Sequence, residues 1–257
     1  MKAFVVLTTL GALLSGSAAQ IMPDTMAPVK VLALEGKTAH VQGIDTDGIH
    51  LWVTSVDRTS RKGYLQEFTV VDGRLARSIE IQDGERFHPG GIAADANSIW
   101  IPVAEYRANS TAIIQRRNKR TLALESQFPV DDHIGCVAVT PEFLIGGNWD
   151  SRDFYFWDHQ GKLIRKVSSA SGNAYQDIKF RDGQLVASGV LAGGKAAIDW
   201  LNLSMSLVRR LPMGNTDRSQ PLTREGMTLF DNRLWLLPED GDSRLFVYAL
   251  PRPVNSR

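Results

Sequence analysis

The sequence predicts an all-β fold in which five four-stranded blades form a β-propeller that is closed by an N-terminal strand. Three observations lead to this prediction. Short runs rich in Val, Ile, Trp, Phe and Tyr are separated by turn dipeptides such as Asp-Gly and Gly-Gly, which is typical of strands and turns. A unit of such runs recurs along the chain at blade length. An extra apolar run precedes the first unit, and the fifth unit lacks its last strand.

The repeat is defined by five aligned segments, each of which begins the first strand of a unit. The segments are 40–44, 88–92, 133–137, 174–178 and 223–227. They begin 48, 45, 41 and 49 residues apart, which matches the roughly 40–50 residues of a propeller blade. The five units therefore share one architecture, although their side chains differ.

Two further positions keep a constant spacing in every unit. An apolar residue lies eight positions after the end of each segment, at Trp52, Trp100, Ile145, Val186 and Trp235. A loop position follows five residues later, at Asp57, Glu105, Asp150, Leu191 and Asp240. A β-sandwich does not explain this spacing. A six-bladed ring would need one more unit, for which no gap is long enough, although 213–222 is an oversized loop.

The ring is expected to close through the two ends of the chain. The fifth unit ends near Leu250 after three strands, and the apolar run 29–34 lies ahead of the first unit. Pairing of 29–34 with 245–250 would complete the last blade and remove an exposed sheet edge.

The first residues have the pattern of a secretory signal. Lys2 precedes the apolar run 3–14, and small residues lead to a cleavage site after Ala19. We therefore expect a signal peptide at 1–19, a linker at 20–28, the propeller at 29–251 and a tail at 252–257, in a periplasmic or secreted protein. An uncleaved anchor is the alternative, but the apolar run is short for a membrane span.

Composition narrows the range of partners. The formal net charge is +1 and both signs are scattered, so no clustered basic surface suggests nucleic-acid binding. No later segment is apolar enough to span a membrane after signal cleavage, and we expect a monomer. The one cysteine, Cys136, excludes an internal disulfide, and its apolar flanks predict a buried thiol.

The repeat places polar side chains around one mouth of the expected channel. The first column contains His40, His88 and His133, which are three of the five histidines in the chain. The column two residues further on contains Gln42, Gln176 and Glu225, and the loop column contains Asp57, Glu105, Asp150 and Asp240. We expect the three histidines, Glu225 and the acidic loop residues to share one cavity.

This arrangement predicts a candidate metal site. Neutral imidazoles and carboxylates are common ligands of zinc, manganese and iron, so His40, His88 and His133 are the candidate ligands of a divalent transition metal. Glu225 and Glu105 are the candidate proton-transfer residues. The alternative is structural: the histidines would bond to the backbone, and the acidic loop residues would stabilise turns.

The loops beyond the acidic column carry side chains suited to a small polar ligand. The candidate ligand-binding residues are Gln42, Asp57, Tyr106, Arg107, Trp149, Asp150, Arg152, Gln176, Asp177, Arg224, Glu239 and Asp240. Arginines such as Arg58 in the loop 55–58 could bind a carboxylate or phosphate, or could form salt bridges between loops.

Several longer motifs carry a resemblance. The segments 88–95, 99–107, 131–135, 175–177 and 238–240 resemble the signatures of an uncharacterised bacterial family of exported propeller-like proteins. That resemblance implies a propeller but no established activity. The segments 41–44 and 224–227 are similar to those of five-bladed glutaminyl cyclases, although little else matches.

The sequence is compatible with two functions. One is metal-assisted hydrolase, lyase or cyclase chemistry on a small polar substrate at the channel mouth. The other is a non-catalytic propeller that binds a ligand or a protein at the same mouth. Bound transition metal in the purified protein would favour the first.

Overall fold

The computed structural model describes residues 26–36, 38–169 and 171–250. The expected signal peptide, the expected tail and most of the expected linker lie outside these residues. Within them the chain forms five antiparallel sheets, and no helix there is long and apolar enough to cross a membrane. The strands are β1 (Lys30–Ala33), β2 (His40–Thr46), β3 (His50–Asp57), β4 (Lys62–Thr69), β5 (Leu75–Glu80), β6 (Arg86–Pro89), β7 (Ala93–Ala94), β8 (Ser98–Glu105), β9 (Ala112–Asn118), β10 (Leu124–Val130), β11 (Ile134–Val139), β12 (Leu144–Asn148), β13 (Asp153–Trp157), β14 (Leu163–Ser168), β15 (Ala174–Arg181), β16 (Gln184–Val190), β17 (Ala196–Leu201), β18 (Leu207–Pro212), β19 (Gly226–Phe230), β20 (Arg233–Leu237) and β21 (Arg244–Ala249).

The five sheets are the five predicted blades. Four consist of consecutive strands, which are β2 to β5, β6 to β10, β11 to β14 and β15 to β18. The fifth has the order β1-β21-β20-β19, so the N-terminal strand is the outer strand of the last blade. Leu32 lies opposite Leu245 in this pairing. The predicted all-β, five-bladed fold and its closure are therefore confirmed.

The blades pack through apolar clusters between neighbouring sheets. Trp52, Trp100 and Trp235 are 1%, 2% and 5% exposed, as expected for blade core. Cys136 is fully buried in one of these clusters, and burial raises the pKa of its thiol to about 12. The thiol is therefore protonated and has no nucleophilic character at neutral pH.

Glycines bring the innermost strands together at the axis. A Cβ on Gly43 would lie 2.4 Å from the Cα of Gly91, and one on Gly90 would lie 2.0 Å from the oxygen of Gly135. The amide of Gly91 donates to the oxygen of Gly135 at 2.9 Å, which joins the second and third blades directly. The centre of the ring is thus packed backbone rather than an open channel at this height.

A buried ion pair completes the centre. Asp177 in β15 is fully buried and accepts hydrogen bonds from the amides of Ile44 and Met227 at 3.0 Å. Lys179 donates to Asp177 at 2.5 Å and to the oxygen of Ile92 at 2.7 Å. Burial raises the pKa of Asp177 to about 7 and the charge of Lys179 opposes that rise. The donors on both oxygens fit the ionised carboxylate, and the ion pair as a whole joins four blades.

Candidate functional site

A pocket of about 600 Å³ opens on the face of the ring where the innermost strands begin. Nine predicted site residues line it, which are His40, Gln42, His88, Tyr106, Trp149, Gln176, Arg224, Glu225 and Glu239. Four further residues complete the lining, which are Arg58, Val190, Gly194 and Pro221. The volume is typical of a site for a small molecule.

Irregular pairing at the start of the innermost strands places two polar side chains in the pocket. The register of β2 against β3 shifts between Val41 and Gly43, so Gln42 is an extra residue in the ladder. The same shift between Tyr175 and Asp177 makes Gln176 the extra residue in β15. Such bulges bend a strand and change the direction of a side chain. Both amides line the pocket as a result.

One imidazole and two carboxylates form a compact group in this pocket. His40, Glu225 and Glu239 each offer a ligand atom, and these atoms lie within 4.8 Å of one another. Nδ1 of His40 is 2.8 Å from Oε1 of Glu239, but the approach does not meet hydrogen-bond geometry. Three nitrogen and oxygen ligands at this spacing could hold a divalent metal ion.

Glu225 is the buried member of this group. It is only 5% exposed, and no described residue forms a hydrogen bond with its carboxyl group. Burial and the nearby Glu239 carboxylate raise the pKa of Glu225 well above its usual range. The carboxyl oxygens are open to the pocket rather than fully enclosed, so a partner from outside the chain can reach and stabilise this group.

His40 supplies the imidazole of the same group. Burial lowers its pKa, the Glu239 carboxylate opposes this, and the charges of Arg58 and Arg224 lower it further. The imidazole is consequently neutral at pH 7, which is the form that binds metals.

Gln42 fixes the proton position on His88. The amide nitrogen of Gln42 donates to the oxygen of Val41 at 2.9 Å, so its carbonyl oxygen faces Nε2 of His88 at 2.8 Å. Nε2 must therefore carry the proton, and Nδ1 is a bare acceptor that is buried without a partner among the described residues. Burial and the neighbouring His133 lower the pKa of His88 to about 3.

His133 takes a structural position behind the pocket. Its Nδ1 donates to the oxygen of Arg107 at 2.9 Å, and Ser110 lies 3.1 Å from the same atom. Burial lowers the pKa of His133 to about 4. The three histidines do lie at one end of the ring, since His40 and His88 both line the pocket and the ring of His133 is 5.3 Å from that of His88. The set that could hold an ion, however, is His40, Glu225 and Glu239 rather than the three histidines.

An aromatic wall forms one side of the pocket. The ring centroids of His88 and Tyr106 are 4.2 Å apart, and Trp149 packs edge-on against His133 at 4.5 Å. Trp149 is 39% exposed at the mouth. The guanidinium carbon of Arg58 lies 5.0 Å from the centre of the Tyr106 ring. A ligand could thus meet a flat apolar surface on one side and charged groups on the other.

The acidic loop residues are used within their own loops. Asp57 accepts hydrogen bonds from the amides of Thr59 and Ser60, which is a turn-stabilising role. Glu105 pairs with Arg107 at 2.7 Å and accepts from the hydroxyl of Thr111.

Asp150 lies 3.5 Å from Arg152, and both side chains are exposed. The structure therefore does not bring Asp57, Glu105 or Asp150 into the pocket with Glu225. Arg107 and Arg152 are likewise paired on their own loops and do not line it.

Two further acids have structural roles. Asp177 lies at the packed axis, where its carboxylate is saturated by backbone amides and Lys179. Asp240 is 1% exposed, accepts from Thr216 at 2.9 Å and pairs with Arg244. Both are adjacent in sequence to a lining residue, Gln176 or Glu239, and strand alternation or loop geometry turns them away from the pocket.

The family comparison agrees with the resemblance noted in the sequence. Residues 57–180 match the model of DUF6454, a family of unknown function. This match spans all of the second and third blades and parts of the first and fourth. No curated protein matches the chain.

Solved structures support the fold. The chain is similar to the glutaminyl cyclase of Myxococcus xanthus, with a TM-score of 0.63 at 11% identity over 86% of this chain and 94% of that one. It is also similar to the tail fiber of Staphylococcus aureus phage P68, with a TM-score of 0.54 at 15% identity, over 88% of this chain and 53% of that one. The class that fold and site define is a five-bladed propeller with a His/Glu pocket at one mouth.

The sequence indicates Arg58 only as an arginine that could bind an anion or form a salt bridge, and it predicts three histidines as the ligand set. In the structure Arg58 lines the pocket, whereas Asp57 from the same loop does not. Glu239 had been assigned to ligand binding, yet it completes the group with His40 and Glu225. The only sequence signal for Glu239 was its place next to the acidic column, because contacts across the ring cannot be seen in a linear repeat.

Proposed function

We propose that this protein is an exported metal-dependent enzyme that hydrolyses, eliminates from or cyclises a small polar substrate. The observation that carries the proposal is the group formed by His40, Glu225 and Glu239. In particular, Glu225 is a buried carboxyl group without a hydrogen-bond partner among the described residues, beside a second carboxylate. Such a group is stabilised when a cation lies between the two acids.

The residue types agree with a transition metal. One neutral imidazole and two carboxylates suit zinc, manganese or iron. When bound, such an ion polarises a carbonyl group or lowers the pKa of a water molecule. His40 and Glu239 would hold it from the mouth of the pocket, and Glu225 would hold it from the buried side.

The remaining lining residues would bind and orient the substrate. Gln42 and Gln176 present amides from bulges in the innermost strands of the first and fourth blades, and the bare Nδ1 of His88 can accept a hydrogen bond. Tyr106 and Trp149 would cover the substrate and exclude water, which strengthens polar interactions in the site.

Export and a monomeric state remain parts of the proposal. The basic start, the apolar run 3–14 and the small residues before position 20 support export to the periplasm or beyond. A self-contained pocket formed by all five blades supports a monomer as the active unit.

The test is metal binding by the purified protein. We expect one equivalent of Zn²⁺ or Mn²⁺ to bind in calorimetry, and elemental analysis to detect that ion after dialysis. Loss of an outer partner of a metal ligand costs 10- to 100-fold in affinity, so His40→Ala and Glu239→Gln should each cost about a hundredfold or more. Asp150→Asn is the matched control, because Asp150 is an acid at the same mouth outside the group.

Two results would contradict the proposal that this protein is a metal-dependent enzyme. One is the absence of stoichiometric binding by the wild-type protein. The other is binding that Asp150→Asn weakens as much as Glu239→Gln does. In either case the non-catalytic, ligand-binding propeller would be the better description of this pocket.

A further inference from the structure

Two arginines in the pocket lack a carboxylate partner. Arg58 lies in the loop between β3 and β4, and Arg224 lies just ahead of β19. Neither forms an ion pair with any described residue. Arg107 and Arg152, on equivalent loops of the second and third blades, are both paired with acids two residues away. The first and fifth blades, which are neighbours in the closed ring, thus present free guanidinium groups to the pocket.

Acids that could neutralise these arginines are present but do not contact them. Glu239 approaches His40 instead, and the carboxyl group of Glu225 has no partner among the described residues. Opposite charges are therefore kept apart inside one cavity. Such separation leaves the positive groups available to an anionic ligand.

The position of Arg58 is supported by its neighbour. Its guanidinium carbon lies 5.0 Å from the centre of the Tyr106 ring, which orients the side chain while leaving its N–H donors unpaired with any acid. A guanidinium group presents paired N–H donors that match the two oxygens of a carboxylate or a phosphate. Two such groups in one pocket favour an oxyanion over a neutral ligand.

We propose that Arg58 and Arg224 bind an oxyanion at one end of the substrate, and so hold its other end beside His40, Glu225 and Glu239. The substrate is then a small molecule with a carboxylate or phosphate group. This inference rests on the proposed function for its reacting end, but anion binding itself does not require a metal. Experiments can therefore contradict anion binding without contradicting the metal site, and the reverse.

The test measures anion binding to the full chain in the presence of a chelator. Succinate and inorganic phosphate are titrated at low ionic strength into the wild type, the double variant Arg58→Gln/Arg224→Gln and the control Arg107→Gln/Arg152→Gln. We expect one of the two anions to bind the wild type and the control equally, and the Arg58/Arg224 double variant to bind it about tenfold more weakly or worse. The anion that binds more tightly identifies the oxyanion class.

Two further measurements separate this inference from the proposed function. Zn²⁺ affinity of Arg58→Gln/Arg224→Gln should not fall below that of wild type, since neither arginine is a ligand and loss of two positive charges favours a cation, and an unchanged melting temperature shows that the variant is folded. His40→Ala should lose Zn²⁺ but keep the anion. The proposal that Arg58 and Arg224 bind an oxyanion is wrong if neither anion binds the wild type, or if both double variants bind the anion equally well. Neither result would contradict the proposed metal site.

Discussion

At the scale of single residues, the pocket depends on side chains whose usual partners are missing. Glu225 is a buried residue whose carboxyl group faces the pocket without a hydrogen-bond donor, and His88 has an enclosed acceptor nitrogen without a donor among the described residues. By contrast, the buried acids Asp177 and Asp240 are saturated with partners. Unsatisfied groups that gather in one pocket reduce stability there, which is the usual cost of a binding or catalytic site.

Replacement of Glu225 by glutamine should separate stability from metal binding. The amide removes a raised-pKa acid and its repulsion with Glu239, so we expect the ion-free protein to gain about 1 kcal/mol, or 2–4 °C in melting temperature. Zn²⁺ binding should be lost in the same variant. Calorimetric scans in chelator, followed by Zn²⁺ titration, measure both effects.

Glu105→Gln is the control for that experiment. Glu105 bonds to Arg107 and Thr111 and lies outside the pocket, so this substitution should slightly lower the melting temperature and leave Zn²⁺ affinity unchanged. Our account of Glu225 is contradicted if Glu225→Gln destabilises the ion-free protein more than Glu105→Gln does, or if it still binds the ion.

At the scale of strands, the sequence was sufficient for the blades but not for the site. The period, the tryptophan anchors and the missing fourth strand depend on local burial, which alternation of residue types records directly. The roles of His133 and Asp57 depend on which backbone groups lie nearby, and those contacts leave no mark in a single sequence. The bulges at Gln42 and Gln176 shift the register by one residue, which the aligned columns could not show.

The innermost strands meet through glycine, and Gly43 is the clearest case. A methyl group there would approach the Cα of Gly91 at 2.4 Å and the oxygen of Gly90 at 2.9 Å, so the second blade would have to move. We expect Gly43→Ala to destabilise the protein by about 3 kcal/mol or more. Urea unfolding followed by tryptophan fluorescence measures the difference.

Gly214→Ala is the matched substitution. A Cβ at Gly214 has nothing within 4 Å and no positive φ is present there, so we expect a change within about 0.5 kcal/mol. Equal effects of the two substitutions would show that the axis can adjust, and that close backbone contact does not hold the inner strands in place.

At the scale of the whole molecule, closure of the ring brings together the residues that line the pocket. His40 comes from the first blade and Glu225 and Glu239 from the fifth, so the group that could hold an ion lies across the closing junction. Between residues 26 and 250, the pairing of β1 with β21 is what joins these ends through a shared sheet. A site at this junction is therefore sensitive to closure in a way that a site within one blade is not.

Removal of the closing strand should weaken both the fold and the site. β1 pairs with β21, Leu34 is buried against Leu245 and Val247, and Lys30 donates to the oxygen of Val70 in the first blade. A chain that begins at residue 35 loses these contacts and exposes β21 as a free edge. We expect its melting temperature to fall by about 10 °C or more and its Zn²⁺ affinity to fall with it, because several buried contacts are lost together.

A chain that begins at residue 26 is the control and should match the full chain. A synthetic peptide of residues 26–36, added in excess, should restore stability by binding the folded form. If the chain from residue 35 melts and binds Zn²⁺ like the control, closure by β1 does not maintain the junction between the first and fifth blades.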